Sequence, residues 1–323
     1  MAMKPANTVL EPPSIAPVPE DVDRPRWSVM IPTFNCAKYL RQTLESVLAQ
    51  APDPDDMQIE VVDDCSTKDD PGLVVRETGR GRVAFYRKPE NGGAIPNFNT
   101  CIQRSRGHLV HILHGDDYIM PGFYERIGKA AARHDEVALI ASRAFIVDEE
   151  NVVTGVTNRL SEMECGTRSL ESFFYGTPIQ APGIVVRRSF YEAHGGFLPN
   201  LVHAADCEMW ARAVGLAGGL VTAEVLACYR TFAANDSGRL TRTAENLRDI
   251  ERLNHIFAAR YTGFDGRRAA QRISLMALVQ AERFARNGDP EAAKANWNYW
   301  KLNAPAKMRL RRFAGKLVRS VFV

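Results

Sequence analysis

Leu109-Val110-His111-Ile112-Leu113, a mainly apolar run of strand length, leads directly into His114-Gly115-Asp116-Asp117. Two adjacent carboxylates at the end of a buried strand repel each other and lose hydration, so they need a compensating partner. A divalent cation such as Mg²⁺ or Mn²⁺ suits their hard oxygens, and Gly115 lets the backbone approach a ligand closely. The stretch therefore predicts a strand followed by a metal-diphosphate site, with a solvated turn or a helix cap as the alternative.

Three earlier apolar runs end in polar residues in the same way. They are Trp27–Ile31 before Pro32-Thr33-Phe34-Asn35, Ile59–Val62 before Asp63-Asp64, and Val83–Tyr86 before a loop that contains Asn91-Gly92-Gly93. Segments with helical spacing of apolar residues separate the runs, which predicts an α/β fold with parallel strands. Because ligands bind at the carboxyl ends of such strands, we expect these polar residues to meet in one crevice. A turn that merely supplies positive φ is the alternative for Asn91-Gly92-Gly93.

Composition limits the classes of protein. The 323 residues carry a net charge of +3, which is too small to indicate nucleic-acid binding. The six cysteines are scattered without zinc-ligand spacing, which favours reduced thiols and a cytoplasmic protein. There is also no secretory leader pattern and no apolar run of membrane-spanning length.

Three regions are predicted along the chain. Residues 1–26 are rich in proline and predict a flexible leader, 27–240 predict the α/β domain, and 241–323 predict a helical extension. Within 27–240, a late helix follows His203 and carries Asp206 in its first turn.

Taken together, six ordered motifs resemble family 2 nucleotide-sugar glycosyltransferases of the GT-A fold, a Rossmann-like, mixed and mainly parallel sheet with flanking helices. The motifs are Pro32–Asn35, Val61–Ser66, Asn91–Gly93, His114–Asp117, Gly195–Phe197 and Asp206. The resemblance covers roughly residues 27–235.

The resemblance implies a role for each motif. It implies that Pro32, Thr33, Phe34, Asn35 and one of Asp63 and Asp64, with Asp64 preferred, hold the nucleoside of a UDP-, dTDP- or GDP-sugar. Asn91, Gly92 and Gly93 are assigned to the donor as well. Asp116 and Asp117 would carry Mn²⁺ or Mg²⁺, and Asp206 would be the catalytic base of an inverting displacement.

Two residues, His114 and Ala205, depart from the family pattern, and three others have further candidate roles. His114 stands where an acidic residue is common, and it has three open roles: metal ligand, phosphate contact or space filling. Ala205 precedes Asp206, which leaves Glu208 as a rival base, although Glu208 points about 200° away on a helix. Arg230 is expected to meet the diphosphate or to lie at the surface, and His203 and Glu208 are weak candidates for the acceptor pocket.

The C-terminal end is strongly basic. No acidic residue follows Glu291, and apolar residues recur every three or four positions over 306–323. This segment predicts a basic amphipathic helix at the inner face of a membrane, which favours a lipid-linked glycan acceptor. The alternative is a helix that packs on the catalytic domain with its basic face in solvent.

The sequence therefore predicts a metal-dependent, inverting glycosyltransferase that moves one sugar to a glycan or lipid-linked glycan in surface polysaccharide assembly. The Gln-x-x-Arg-Trp motif of processive synthases is absent, which favours single transfer. A nucleotidyltransferase is one alternative, but the Pro32–Asn35 loop lacks the glycines and basic residue that it would need. A catalytically silent module that binds nucleotide-sugar or glycan is the other.

Overall fold

The computed structural model describes residues 11–157, 168–232 and 236–309. The described chain forms two compact units. Unit 1 runs to Asn200 and takes in Ala205–Thr231, and unit 2 comprises Leu201–Ala204 together with the chain from Phe232 onward. The expected boundary at residue 240 thus differs from the boundary between the units.

Unit 1 is an α/β sandwich around one mixed sheet. Its strands are β1 (Trp27–Thr33), β2 (Met57–Asp63), β3 (Ala84–Arg87), β4 (Leu109–Ile112), β5 (Tyr118–Ile119), β6 (Leu139–Val147), β7 (Val153–Val156), β8 (Ile184–Arg187) and β9 (Gly219–Arg230). Its helices are α1 (Ala37–Leu48), α2 (Pro71–Gly79), α3 (Ala94–Arg104), α4 (Phe123–Arg133), α5 (Arg168–Phe173), α6 (Arg188–His194) and α7 (Ala205–Ala217). The predicted α/β fold is confirmed.

The strand order is β3-β2-β1-β4-β8-β6-β9-β5, with β7 paired to β6. The four strands predicted from apolar runs, β1 to β4, pair in parallel. β8 then enters antiparallel between β4 and β6. Every residue of β1 and β4 is buried, which explains why these strands are continuous apolar runs rather than alternating ones.

The N-terminal segment is irregular yet packed. Residues 11–26 contain no helix or strand, but Ile15 is only 2% exposed. The carbonyl of Ala16 accepts a hydrogen bond from Arg188 at 3.2 Å. The structure thus differs from the expected flexible leader over 11–26, while residues 1–10 lie outside the described residues.

Unit 2 is helical, as predicted for the C-terminal region. Its helices are α8 (Asp236–Arg242), α9 (Glu245–Arg260), α10 (Gly266–Arg286) and α11 (Pro290–Asn303). Leu247, Ile273, Ala277 and Trp300 form the centre of its core. A helical turn follows at 306–309, so most of the amphipathic helix predicted over 306–323 lies outside the described residues.

A buried aspartate organises the first stretch of unit 2. One carboxylate oxygen of Asp249, which is 0% exposed, accepts the backbone N–H groups of Val202, His203 and Ala204 at 3.0, 2.7 and 2.8 Å. The other oxygen accepts from Arg252 at 3.0 Å. Four charge-assisted hydrogen bonds therefore fix the loop that leads into α7.

Candidate active site

The carboxyl end of β1 is hydrogen-bonded to the loops that follow β2 and β4. The carbonyl of Pro32 accepts from the N–H of Gly115 at 3.1 Å, and that of Thr33 accepts from the N–H of Asp64 at 2.9 Å. A Cβ atom on Gly115 would lie 2.9 Å from Cys36 Sγ and 3.0 Å from the Thr33 hydroxyl. A larger residue at 115 would therefore force these side chains to shift. Together, the contacts bring three of the predicted polar motifs close to one another.

The acidic loop gathers three potential metal ligands. One ligand atom each from His114, Asp116 and Asp117 lies within 4.8 Å of the others. The His114 ring stacks on Phe98 with a centroid distance of 4.8 Å, which fixes its orientation. Its Nδ1 lies 3.8 Å from Asp117 Oδ2.

Asp117 is a buried carboxylate with one uncompensated oxygen. Its side chain is 1% exposed, and Oδ1 accepts the backbone N–H of Arg230 at 2.8 Å. Oδ2 is buried and accepts no hydrogen bond from the described part of the chain. Burial, followed by the charge of Asp116, raises the pKa of Asp117 well above its usual range. A cation placed here would compensate this charge, so the donor set fits the divalent metal that the sequence predicts.

Arg230 is buried next to this loop and acts as a hub, which here means a side chain that donates hydrogen bonds to several separate segments. Its side chain is among the largest that are fully buried. Its N–H groups donate to the carbonyls of Asp116 (2.8 Å), Asp148 (3.0 Å) and Glu149 (3.4 Å) and to the side chains of Gln42 (2.7 Å) and Asn151 (2.9 Å). All five donors of the guanidinium are used. This differs from the expectation that Arg230 meets the diphosphate or lies at the surface, since it positions the loop instead.

We predict that R230K destabilises the protein and weakens Mn²⁺ binding. A lysine cannot replace five donors, so buried carbonyls lose their partners at a cost of about 3–5 kcal/mol in unfolding free energy. Urea unfolding measures the first effect, and electron paramagnetic resonance of free Mn²⁺ measures the second. R126K is the matched control, because the Arg126–Glu224 pair is exposed. Equal stability and Mn²⁺ affinity in R230K and R126K would contradict the role of Arg230 as a hub.

Thr43 supports the same loop from α1. Its buried hydroxyl lies 2.7 Å from the carbonyl of Asp117 and 3.1 Å from that of Gly115. Thr43 could not be predicted from the sequence, because a threonine inside an amphipathic helix carries no local sign of a long-range partner.

The expected nucleoside-binding carboxylates are buried among protein donors. Asp64 accepts from Lys88 Nζ at 2.5 Å and from the N–H groups of Gly92 and Gly93 at 3.1 and 2.7 Å. The Asn91 side chain donates to the Asp64 carbonyl at 3.0 Å. The predicted motifs at 63–64 and 91–93 are therefore joined by hydrogen bonds. Lys88 belongs to the same network, although it was not predicted from the sequence.

Asp63 and the β1 loop form the adjoining wall. Asp63, which is 0% exposed, accepts from the Ser66 hydroxyl at 2.5 Å and from Arg87 at 2.6 Å. Asn35 has a positive φ of 50°, and its side-chain oxygen accepts from two backbone N–H groups of the β2 loop at 2.9 Å each. Phe34 is 46% exposed, so its ring lies at the protein surface.

The two carboxylates at the start of α7, those of Asp206 and Glu208, lie in different surroundings. Asp206 is half-buried in the first turn of α7. Glu208 is 1% exposed, and both of its oxygens accept from Arg212 at 3.0 and 3.1 Å. Glu208 is therefore committed to a buried ion pair and is not available to an acceptor, contrary to its candidacy as a rival base or acceptor contact. His203 lies in unit 2, where its N–H donates to Asp249.

Comparison with known proteins identifies the family. The model of Glycosyl transferase family 2 matches residues 28–195, more than half of the chain. An uncharacterised protein of Mycobacterium tuberculosis is 23% identical over 245 residues, which cover 71% of this chain and 75% of that protein. The Staphylococcus aureus poly(ribitol-phosphate) beta-N-acetylglucosaminyltransferase TarS is 31% identical over 122 residues, 36% of this chain and 20% of TarS.

Solved structures agree in fold. S. aureus TarS 1–349 in complex with UDP-GlcNAc matches with a TM-score of 0.56 and 16% identity, over 87% of this chain and 93% of that one. The mannosyltransferase PcManGT from Pyrobaculum calidifontis, in complex with GDP-Man and Mn²⁺, matches with a TM-score of 0.53 and 20% identity, over 95% and 84% of the two chains. At these identities the likeness shows the fold alone. By its family match and its fold, the chain belongs to glycosyl transferase family 2 and is a GT-A glycosyltransferase.

Proposed function

We propose that this enzyme is a metal-dependent, inverting glycosyltransferase that moves a single sugar from a nucleotide-diphosphate-sugar to a glycan or lipid-linked glycan. The observation that carries the proposal is the cluster of His114, Asp116 and Asp117, in which a buried Asp117 oxygen lacks a hydrogen bond from the described residues. Surface polysaccharide or glycoconjugate assembly is the setting in which we place this reaction.

Asp116 and Asp117 would hold Mn²⁺ or Mg²⁺, with His114 as a third candidate ligand. Such a cation neutralises the negative charge that develops on a leaving diphosphate. The PcManGT structure contains Mn²⁺ with its donor, which supports a metal here. The protein's own contribution is to hold the carboxylates in place through Arg230 and Thr43.

The donor nucleoside is proposed to lie against Pro32, Thr33, Phe34 and Asn35 and the loop ordered by Asp64. Asp63 and Asp64 accept hydrogen bonds from Arg87 and Lys88, which places two cationic side chains beside this wall. Relatives of known structure bind UDP-GlcNAc and GDP-Man, so the fold accommodates both uracil and guanine nucleotides.

Asp206 is the proposed general base. A neutral hydroxyl is a poor nucleophile, and a half-buried carboxylate that accepts its proton makes attack on the anomeric carbon feasible. A single displacement of this kind inverts the configuration at that carbon. The ion pair of Glu208 with Arg212 supports Asp206 over Glu208 for this role.

We place the reaction at the cytoplasmic face of a membrane, with 306–323 as a peripheral anchor. Cys36, Cys65, Cys101, Cys207 and Cys228 are all free, which suits a reducing compartment. Among the described residues, no helix is long and apolar enough to cross a membrane.

A thermal-shift screen of UDP-, GDP- and dTDP-sugars tests the donor, each with and without Mn²⁺. We expect one nucleotide class to raise the melting temperature, and only when Mn²⁺ is present. At a ligand concentration a hundredfold above the dissociation constant, the free energy of unfolding should rise by about 2.7 kcal/mol. Release of the nucleoside diphosphate from that donor then tests turnover. Binding without release would favour the silent module, and no shift with any donor would contradict the proposal.

A further inference from the structure

One face of α10 in unit 2 is apolar at its centre and basic at both ends. Leu275 and Val279 are 54% and 64% exposed. At about 100° per residue, Arg268, Arg272, Leu275, Val279, Glu282, Arg283 and Arg286 fall within about 100° of one another around the helix. Glu282 is the one acidic residue on this arc and pairs with Arg286 at 3.7 Å, so the face keeps an excess of positive charge. The opposite face, which includes Ile273 and Ala277, is buried in the unit 2 core. The exposed apolar pair is thus not needed by that core.

The surface continues onto the chain that follows α11. A cavity of about 270 Å³ is lined by Gln271, Leu275, Pro305, Lys307 and Met308. Leu302, near the end of α11, is 79% exposed. We call Leu275, Val279 and Met308, with Arg268, Arg272 and Lys307 around them, the α10 surface.

Charge is distributed unevenly along the chain. Residues 266–323 contain thirteen Lys and Arg against three Asp and Glu, while residues 1–265 contain 28 against 35. The α10 surface therefore lies in a strongly cationic part of an otherwise acidic protein. An anionic partner would be attracted to this part of the chain and repelled by the rest.

Two occupants are disfavoured by this charge. Residues 310–323 carry Arg311, Arg312, Lys316 and Arg319 with no acidic residue, so the arginines of α10 repel them. A second copy of the same surface is repelled for the same reason. A soluble polyanion would satisfy the charges but would leave Leu275 and Val279 in water.

We propose that the α10 surface docks on an anionic lipid bilayer. Leu275 and Val279 enter the interfacial region, while the arginines at both ends of this face lie among the lipid phosphates. Docking brings the enzyme to the surface on which a lipid-linked acceptor would be found. Membrane docking adds to the proposed function, but binding to the bilayer requires neither the sugar donor nor the acceptor.

Co-sedimentation of the full-length protein with vesicles tests the proposal. The probes are vesicles of phosphatidylcholine alone and of phosphatidylcholine with phosphatidylglycerol. We expect binding only to the anionic vesicles, with an affinity that falls as salt rises from 0.05 to 0.5 M, where screening lengths shorten. No binding of the wild type to anionic vesicles, or equal binding to both types, would overturn the proposal.

The double variant L275Q/V279Q separates this surface from the basic C-terminal segment. We expect it to bind anionic vesicles about tenfold more weakly, because two apolar side chains no longer enter the interface. The matched control is Leu216→Gln, since Leu216 is 58% exposed in unit 1. Binding by L275Q/V279Q equal to that of the control would overturn the proposal and assign binding to residues outside the α10 surface.

Two further measurements complete the test. R268Q/R272Q should also weaken vesicle binding, and melting temperatures should show that each variant remains folded. Competition by an anionic oligonucleotide that displaces the wild type and L275Q/V279Q equally would favour a polyanion partner and contradict the lipid proposal. Donor-induced thermal shifts should be unchanged in all these variants, so failure here leaves the glycosyltransferase proposal intact.

Discussion

D206N is expected to lower the rate of nucleoside diphosphate release by about 10²–10⁴-fold while leaving donor binding unchanged. Asparagine keeps the size of Asp206 and its ability to accept the hydrogen bond from the N–H of Cys207 at 2.6 Å. It cannot accept a proton at neutral pH, so only the base is lost. Release of nucleoside diphosphate with Mn²⁺ gives the rate, and the donor-induced thermal shift gives the binding.

The matched control for D206N is E125Q. Glu125, like Asp206, is an acidic residue in the first turn of a helix, but it is exposed and pairs with Lys129. E125Q should therefore leave both the rate and the thermal shift unchanged. Sustained release by D206N would exclude Asp206 as the base. A loss of release together with loss of the donor shift would assign Asp206 to binding instead.

D117N is expected to stabilise the metal-free enzyme and to abolish its stabilisation by Mn²⁺. Asparagine retains an oxygen for the N–H of Arg230, but it removes a buried charge whose second oxygen accepts no hydrogen bond from the described residues. Relief of this penalty raises the melting temperature by about 2–4 °C per kcal/mol. The loss of one metal ligand should lower catalysis by about 10²–10³-fold.

The effect of D117N also depends on pH in a defined direction. Burial raises the pKa of Asp117 in the folded state above its value in the unfolded chain. The charge therefore destabilises the metal-free protein fully above the folded pKa. The penalty shrinks as pH falls below that value and is gone only below the lower pKa of the unfolded chain. Melting curves across pH should show the difference between D117N and wild type shrinking on acidification. D135N, which removes an exposed charge, should show neither effect, and Mn²⁺ stabilisation of D117N equal to wild type would contradict the metal assignment.

The sequence predicted the strand ends well because each depends on local chemistry. A buried apolar run that ends shortly before Asp63 or Asp116 indicates a strand, and the acidic residue indicates the carboxyl end of that strand. Parallel pairing of the strands then brings these carboxyl ends together whatever the conformation of the loops, as the hydrogen bond between Pro32 and Gly115 shows. The fold class and the clustering of His114, Asp116 and Asp117 follow from these short-range patterns.

Side-chain partners were less predictable because they join distant parts of the chain. The guanidinium of Arg230 bonds to residues 79 to 188 positions away, and nothing beside it in sequence marks it as buried. The pairing of Asp64 with Lys88 depends likewise on the course of the loop between them. Asn35 has a left-handed backbone, and its side-chain oxygen accepts from two N–H groups of the β2 loop, which are likewise contributed by a distant part of the chain.

The carboxylate of Asp249 has a consequence for engineering this enzyme. Leu201–Ala204 belong to unit 2, Ala205–Thr231 belong to unit 1, and the chain from Phe232 onward belongs to unit 2 again. Cutting the chain at residue 232 would therefore deprive three N–H groups, just upstream of Asp206, of their shared acceptor. Minimal versions of the catalyst, or chimaeras that exchange C-terminal regions among relatives, should retain α9 or supply an equivalent carboxylate. Unit 2 is thus assembled from two separate pieces of the chain, and an exchange of the helices alone would leave the Leu201–Ala204 piece without its own acceptor.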